Sequence, residues 1–239
     1  MAQNVMSYSQ AVSGRQTAKR APPPVAAAHT QPNVTCLPGS IRAYTVTDPP
    51  ERTRKADHQP RTSGDEADVY VLTLSTTPSL SKPLTALRDK HFPIHLNHTP
   101  AHLTMFHALP GSEMDGIVVA LDEHCRNTRP FKLTTGAPFR MKRGVGINVG
   151  QGSQAAQRVH EELQRRWADM LSAQDRLGWR PHWTIQNRVA EEVVATKTMD
   201  EVQREFQGAE GLAKGCTLWR YERAGRWKFE RDFDFAGDK

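Results

Sequence analysis

The spacing of apolar positions predicts folded elements from about residue 65 onward. Residues 69–74 form an apolar run rich in β-branched side chains, which is typical of a buried strand. Over residues 79–90 the apolar side chains recur at helical spacing instead. In chain order we predict a strand over 69–74, a helix over 79–90, a strand over 101–109, a helix capped by Ser112, and strands over 131–135 and 139–149 with Gly136 and Pro138 between them.

The same order of elements then begins again. We predict a strand over 144–149, a helix over 153–171, a strand over 182–189, a helix opened by a capping box of Thr198 and Glu201 and ended by Gly208, and strands over 216–222 and 227–233 joined by a turn at Ala224-Gly225. The repetition predicts an α+β fold of two pseudo-symmetric lobes, each a mostly antiparallel β-sheet with flanking helices. Equivalent positions would then face each other across a central cleft.

Residues 1–64 have a different composition. They are rich in Pro, Ala, Ser, Thr and Gln, contain few aromatic side chains and show no apolar periodicity. Such a segment cannot repay the entropy cost of ordering, so we predict a disordered tail before a bilobal domain at 65–239. Eight Lys and Arg against three acidic residues give the tail +5 of the chain's +6 charge. The predicted domain is therefore nearly neutral, which argues against a large basic surface for duplex nucleic acid.

The cysteines and the apolar runs indicate in which cellular compartment the protein is expected. No apolar run is long enough for a membrane-spanning helix, and none reads as a secretory signal. Cys36, Cys125 and Cys216 are far apart, which favours buried thiols in a reducing compartment. We therefore expect an intracellular protein, cytoplasmic or nuclear. The first 47 residues contain several Ser and Arg and no acidic residue, so a mitochondrial presequence is the alternative.

One short pattern, His-x-Thr followed by an apolar residue, opens the third element of each predicted lobe. It occurs at His102 and Thr104 and again at His182 and Thr184, and none of the other eight histidines fits it. Alternate side chains of a strand share a face, so each histidine points the same way as its threonine. The pseudo-symmetry then places two imidazoles and two hydroxyls in one cleft.

This set of groups suits a phosphodiester or a cyclic phosphate. One imidazole can activate water or a ribose hydroxyl near neutral pH while the other protonates the leaving oxygen. The two threonine hydroxyls can hydrogen-bond the non-bridging oxygens and hold the phosphorus in line. The chemistry requires no metal and no cofactor.

The paired motifs resemble those of the two-histidine phosphoesterase superfamily, which includes 2'-5' RNA ligases and cyclic phosphodiesterases. The motifs read Ala101-His102-Leu103-Thr104-Met105 and Pro181-His182-Trp183-Thr184-Ile185. The resemblance implies two β-sheet lobes around a metal-free cleft, with His102 and His182 as the acid–base pair and Thr104 and Thr184 as phosphate ligands. It also implies that a 2',3'-cyclic phosphate is opened to a 2'-phosphate, or that the reverse ligation occurs at an RNA end.

Two further residues are candidates for substrate contact. Tyr221 shares a strand face with Trp219, and the two could stack a base, although core packing is as good an account of Trp219. Lys142, with Arg140 and Arg143 beside it, could contact phosphate, although exposed strand residues are often basic. Trp183 is expected in the core because it faces away from the cleft.

Four histidines near the first motif suggest a metal site, but their spacing favours a solvated loop. They are His91, His95, His98 and His107. No carboxylate-and-thiolate pattern lies among them, and their separations match no standard ligand set. An intact strand would point His107 away from the cleft, because it lies five residues beyond His102.

The sequence thus predicts a metal-independent cyclic phosphodiesterase or RNA ligase-like enzyme, without a cofactor and monomeric. Its partners are expected to be RNA ends or small cyclic nucleotides, and not a membrane. RNA, a cyclic mononucleotide and an ADP-ribose cyclic phosphate remain open as substrates. The alternative function is non-catalytic binding of RNA or nucleotides in the same cleft.

Overall fold

The computed structural model describes residues 59–62, 65–222 and 226–236. Most of the predicted tail, Cys36 and the predicted turn at Ala224-Gly225 lie outside these residues. No helix in the described part is long and apolar enough to cross a membrane. In chain order the elements are β1 (Val69–Thr76), α1 (Pro78–His91), β2 (Leu103–Pro110), α2 (Met114–Arg126), β3 (Phe131–Met141), β4 (Gly144–Val149), α3 (Ser153–Arg166), β5 (His182–Gln186), α4 (Glu192–Glu205), β6 (Glu210–Tyr221) and β7 (Trp227–Asp234).

The order of the strands in the sheet confirms the predicted duplication. The sheet runs β2-β1-β6-β3-β4-β5, β7 pairs with β6, and every pairing is antiparallel. Exchanging β1 with β4, β2 with β5 and β3 with β6 reproduces the same order read backwards. Each repeat thus contributes a strand to the sheet of the other lobe, because β6 of the second repeat pairs with β1, and β3 of the first repeat pairs with β4.

The core lies where the apolar faces of the helices meet the sheet. Its largest fully buried side chains include Trp183, Phe106, Leu72 and Leu80. Trp183 is therefore a core residue, as predicted, and burying a side chain of that size contributes roughly 2–3 kcal/mol. Cys125 and Cys216 are buried free thiols, which also agrees with the sequence. Helix α1 packs against β5 and β6 and so connects the first lobe to the second.

The predicted break between strands near Gly136 and Pro138 is wrong. Strand β3 continues without interruption from Phe131 to Met141, and the chain turns at Lys142 and Arg143 before β4. The proline is tolerated because the pairing of β3 with β4 shifts register between Thr135 and Pro138. At such an irregularity the missing N–H of proline removes no ladder hydrogen bond.

The predicted end of α3 and the predicted start of α4 are also wrong. Helix α3 ends at Arg166 and not at 171, although Leu171 remains buried beyond it. Helix α4 begins at Glu192, so Thr198 lies inside the helix, where its hydroxyl accepts a hydrogen bond from Gln186 Nε2 at 2.7 Å. Glu201, the other half of the predicted capping box, instead forms an ion pair with Lys90.

Ser112 does not cap α2. It lies in a short 3-10 turn, Gly111–Glu113, and its hydroxyl donates to Glu66 Oε1 at 2.8 Å. The N-cap residue of α2 is Glu113, one position later. A serine can bond to a nearby carboxylate as readily as to a helix N–H, so its position alone does not decide which it does.

Candidate active site

Each His-x-Thr motif lies where a strand begins, and its side chains alternate as predicted. In the first lobe Leu103 and Met105 are buried while His102 and Thr104 remain partly exposed. In the second lobe the residue between histidine and threonine, Trp183, is buried in the same way. The backbone alternation of a strand therefore presents one histidine and one threonine from each lobe on a single side of the sheet.

The four motif side chains line one cleft of about 270 Å³. Strands β2 and β5 lie at opposite ends of the sheet order, and their two histidines nevertheless line the same cleft. The other residues that line the cleft are Met105, His107, His160, Gln174, Asp175, Leu177, Gly178, Trp179 and Arg180. Most of these additional residues come from β2 and from the loop before β5.

The two histidines have the same backbone anchor. Nδ1 of His102 donates to the carbonyl of Pro100 at 2.7 Å, and Nδ1 of His182 donates to the carbonyl of Arg180 at 2.9 Å. In both cases the acceptor lies two residues earlier in the chain. A carbonyl oxygen can only accept, so the hydrogen is on Nδ1 and Nε2 is the nitrogen left for a bound molecule. The cleft therefore holds two imidazoles with the same tautomer and the same backbone anchor.

A buried arginine acts on both motifs. Arg88 of α1 donates to the carbonyl of Thr184 at 2.7 Å and to the carbonyl of Thr99 at 3.0 Å, which fixes the second motif from a helix of the first lobe. Burial lowers the pKa of Arg88 to about 10, so the side chain remains charged at neutral pH. Burial, and then the positive charge of Arg88, lower the pKa of His102 to about 4.

The first motif is fixed from the second half of the chain. The indole of Trp179, in the loop before β5, donates to the carbonyl of Thr104 at 2.7 Å. Its ring also stacks on the buried His160, with centroids 5.1 Å apart, and His160 stacks in turn on Phe106 at 4.6 Å. This aromatic stack supports the cleft wall, and burial lowers the pKa of His160 to about 4.

Both motifs are followed by a β-bulge at equivalent positions. Thr73 pairs with Thr104 and Leu72 with Phe106, so Met105 is the extra residue in β2. Gly146 pairs with Thr184 and Val145 with Gln186, so the extra residue in β5 is Ile185. A bulge reverses the alternation of the residues after it. The sequence shows no sign of either bulge.

The first bulge brings His107 into the cleft, so the prediction that His107 points away is wrong. Nδ1 of His107 lies 3.0 Å from Oδ1 of Asp175, whose side chain is 1% exposed. Asp175 also accepts the backbone N–H groups of His107 and Ala108 at 2.9 Å. Burial alone would raise the pKa of Asp175, but these hydrogen bonds and the imidazole hold it below the usual value. His107 is thus a third oriented imidazole on the cleft wall.

Arg88 and His107 were both missed by the sequence analysis, but only Arg88 could have been found. Leu80, Leu84 and Arg88 are the buried residues of α1 and lie four residues apart. An arginine on the apolar stripe of a helix indicates a buried charge with a specific task. His107 could not have been found in this way, because its orientation depends on the pairing of β2 with a distant strand.

The two other predicted contact residues lie outside the cleft. Lys142 is exposed in the turn between β3 and β4. Tyr221 is exposed at the end of β6. Aromatic rings do lie next to the motif histidines: Trp227 is 4.5 Å from His102 and Phe139 is 5.5 Å from His182, measured between ring centroids.

The four histidines considered for a metal site do not come together. His95 and His98 are exposed in the loop before β2, while His107 pairs with Asp175. Within the ranges that the structure describes, no three His, Cys, Asp or Glu side chains are grouped as metal ligands would be.

A fold of this topology with paired histidines defines a phosphoesterase of the two-histidine class. The family model of the 2'-5' RNA ligase superfamily matches residues 76–225, which include both motifs, so the chain belongs to this superfamily. Membership supports phosphoesterase-type or RNA ligase-type chemistry. No curated protein shows detectable sequence similarity to the chain.

Solved structures share the fold at low sequence identity. The chain is similar to Escherichia coli LigT complexed with 3'-AMP, with 15% identity and a TM-score of 0.53 over 71% of this chain and 98% of that one. It is also similar to a protein described as a phosphoesterase, with 14% identity and a TM-score of 0.52 over 72% and 99% of the two chains. A third match is E. coli LigT complexed with phosphate, with 15% identity, a TM-score of 0.50 and coverage of 72% and 99%.

Proposed function

We propose that this protein is a metal-independent phosphoesterase that opens 2',3'-cyclic phosphates, at RNA ends or in cyclic nucleotides, by acid–base catalysis with His102 and His182. One observation supports this most strongly: both imidazoles are held at Nδ1 by the carbonyl two residues earlier, so both leave Nε2 for substrate. Membership of the 2'-5' RNA ligase superfamily agrees with this chemistry. LigT, which has the same fold, was crystallised with phosphate and with 3'-AMP.

In this proposal His102 is the base and His182 is the acid, which the lowered pKa of His102 supports. With a pKa of about 4, His102 is neutral at pH 7 and its Nε2 can accept a proton from the attacking water. The water oxygen forms a bond to phosphorus as the bond from phosphorus to the ribose 3' oxygen breaks. His182, in its protonated form, donates a proton from Nε2 to that oxygen, which leaves a 2'-phosphate and a 3'-hydroxyl.

The threonines and the surrounding charge stabilise the transition state in this proposal. The hydroxyls of Thr104 and Thr184 donate to the non-bridging phosphate oxygens, and their backbones are fixed by Trp179 and Arg88. The charged Arg88 and the cleft-lining Arg180 favour an anionic ligand. If a ribose 5'-hydroxyl replaces water as the nucleophile, the same two proton transfers join two RNA ends.

Substitution of either motif histidine tests the proposal. We expect His102→Ala and His182→Ala each to lower kcat/KM for a 2',3'-cyclic nucleotide by about 100-fold or more, which is the usual contribution of a positioned acid or base. His95→Ala is the matched control, since His95 is an exposed histidine of the loop before β2. Product is followed by chromatography that separates 2'- from 3'-phosphates.

Two results would contradict the proposal. The first is equal turnover by the wild type and both motif variants. The second is activity that a chelator abolishes and added metal restores, because the proposed steps use only protein groups. Nucleotide binding without turnover of either RNA or mononucleotide would instead favour the alternative of a non-catalytic binding protein.

A further inference from the structure

The hairpin of β6 and β7 carries four aromatic side chains on one face. Trp219 is directly opposite Phe229, and Tyr221 is directly opposite Trp227. Side chains opposite each other in an antiparallel pair share a face, and so do residues two apart in one strand. The rings are also close to one another: Trp219 lies 5.9 Å from Phe229 and 6.3 Å from Trp227, measured between ring centroids.

This aromatic face is continuous with the candidate active site. The ring of Trp227 lies 4.5 Å from the ring of His102 at a tilt of 48°. The indole of Trp219 donates to the hydroxyl of Thr73 at 2.9 Å, and Thr73 is paired with Thr104 of the first motif. The hairpin therefore presents its aromatic rings on the same side of the sheet as the catalytic candidates, starting beside one of the two histidines.

Core packing does not explain the aromatic rings of Tyr221 and Phe229, the outer two of the four. Tyr221 is 47% exposed and Phe229 is 52% exposed, and neither belongs to the core cluster. Large aromatic side chains left in water next to a functional cleft indicate a binding surface. Arg226 directly precedes β7 and is exposed, while Lys228 is directly opposite Arg220 and so lies on the other face of the hairpin.

We propose that the aromatic face of the β6–β7 hairpin, formed by Trp219, Tyr221, Trp227 and Phe229, stacks the unpaired bases of single-stranded RNA whose terminal cyclic phosphate lies in the cleft. The inference rests on the proposed function and narrows its substrate class to oligonucleotides. Aromatic rings stack any base, which is how proteins bind single strands without reading sequence. A cyclic mononucleotide has no further base on the 5' side to occupy the outer rings, and an ADP-ribose cyclic phosphate has a single adenine.

The test compares two substrates across ring variants. One substrate is a 2',3'-cyclic mononucleotide, and the other is a tetranucleotide that ends in the same cyclic phosphate. We expect the double variant Tyr221→Ala/Phe229→Ala to lose roughly tenfold or more in kcat/KM on the tetranucleotide, given the usual contribution of stacking per base. Its rate on the mononucleotide should stay at the wild-type value.

Matched controls separate stacking from general damage. Tyr221→Phe and Phe229→Tyr keep an aromatic ring and should behave as the wild type on both substrates. Val193→Ala removes an exposed apolar side chain from α4 and should also have no effect. An equal loss on both substrates in the double alanine variant would overturn the inference, because it would mean a structural effect on the site.

A binding measurement separates this inference from the proposed function. Single-stranded RNA with a 3'-phosphate end is titrated into the protein while tryptophan fluorescence is recorded, since Trp219 and Trp227 lie in the proposed surface. Quenching that the double alanine variant weakens supports the surface even if no substrate is turned over, which would defeat the proposed function alone. Turnover of the mononucleotide without any preference for the tetranucleotide, or without RNA binding, overturns the inference and leaves the proposed function standing.

Discussion

At the scale of single residues, the two motif histidines match in hydrogen bonding but not in surroundings. His102 is partly buried and lies near the buried Arg88, and its burial, followed by that positive charge, lowers its pKa to about 4. His182 lies against the edge of Phe139. A pair of imidazoles with the same backbone anchor and different environments is suited to act as one base and one acid.

The pH dependence of kcat/KM is a test of this difference. We expect a bell-shaped profile whose acidic limb falls near pH 4, because below its pKa His102 is protonated and cannot accept a proton. Removing a nearby positive charge makes protonation easier, so Arg88→Gln should move the acidic limb to higher pH. The measurement is a set of initial rates from pH 3.5 to 9, with circular dichroism to check the fold of the variant.

Arg143→Gln serves as the control for this shift, since Arg143 is an exposed cation in the turn between β3 and β4. Its profile should coincide with that of the wild type. A flat profile would exclude the acid–base pair, and an acidic limb that Arg88→Gln moves to lower pH would contradict the electrostatic role of Arg88.

At the scale of elements, the sequence predicts the strands that carry the site but not their irregularities. The alternation around His102 and His182 is a local property, so it predicted correctly which neighbours are buried. The bulges at Met105 and Ile185 arise from pairing with β1 and β4, which are distant in sequence. For that reason the motif was predictable and the position of His107 was not.

The predictions of helix ends were wrong for a related reason. A serine, a threonine or a glutamate can serve as a cap or bond elsewhere, and the choice depends on tertiary neighbours. Thr198 bonds to Gln186 of β5, and Ser112 bonds to Glu66 near the start of the described domain. The apolar stripes were more reliable, because Leu80, Leu84, Leu121 and Leu163 all face the core.

The glycine at the start of α3 allows a prediction about stability. Gly152 lies immediately before α3 at φ +86°, and an added Cβ would be 2.1 Å from the carbonyl oxygen of Lys132. We expect Gly152→Ala to lower the free energy of unfolding by about 2 kcal/mol or more, from backbone strain and the clash with β3. Urea unfolding followed by circular dichroism measures the change.

The matched substitution is Gly116→Ala in α2, where an added Cβ would meet nothing within 4 Å. Here alanine should raise stability by about 0.5–1 kcal/mol, since glycine weakens a helix interior. Equal effects of the two substitutions would show that the backbone at Gly152 does not require glycine.

At the scale of the whole molecule, both lobes bury histidines in the neutral state. The pKa is lowered to about 4 for His102 and for His160, and burial also lowers it for His91 and His124. In the unfolded chain these groups titrate near pH 6.5. Between that value and pH 4 the unfolded state therefore binds more protons than the folded state.

Stability should consequently fall as the pH is lowered from 6.5 towards 4 and should be at its full value above 6.5. Each group with a strongly lowered pKa changes the free energy of unfolding by about 1.4 kcal/mol per pH unit in this range. His102 and His160 together should therefore change it by roughly 2–3 kcal/mol per pH unit. Urea unfolding at pH 7, 5.5 and 4.5 measures the slope. His160→Phe keeps a ring between Phe106 and Trp179 and should make the slope shallower; an unchanged slope would contradict the assignment.

The bulge after each motif has a consequence for the direction in which a bound chain can lie across the cleft. Both lobes have it, but β5 ends at Gln186, directly after the bulge, whereas β2 continues to Pro110 and carries His107 onto the cleft wall. The two halves therefore match around the motif histidines and differ away from them. A nucleotide chain has a 5' and a 3' end. The two halves of the cleft are related by the pseudo-two-fold axis only near the motif histidines, so the two directions in which such a chain could lie across it are not equivalent.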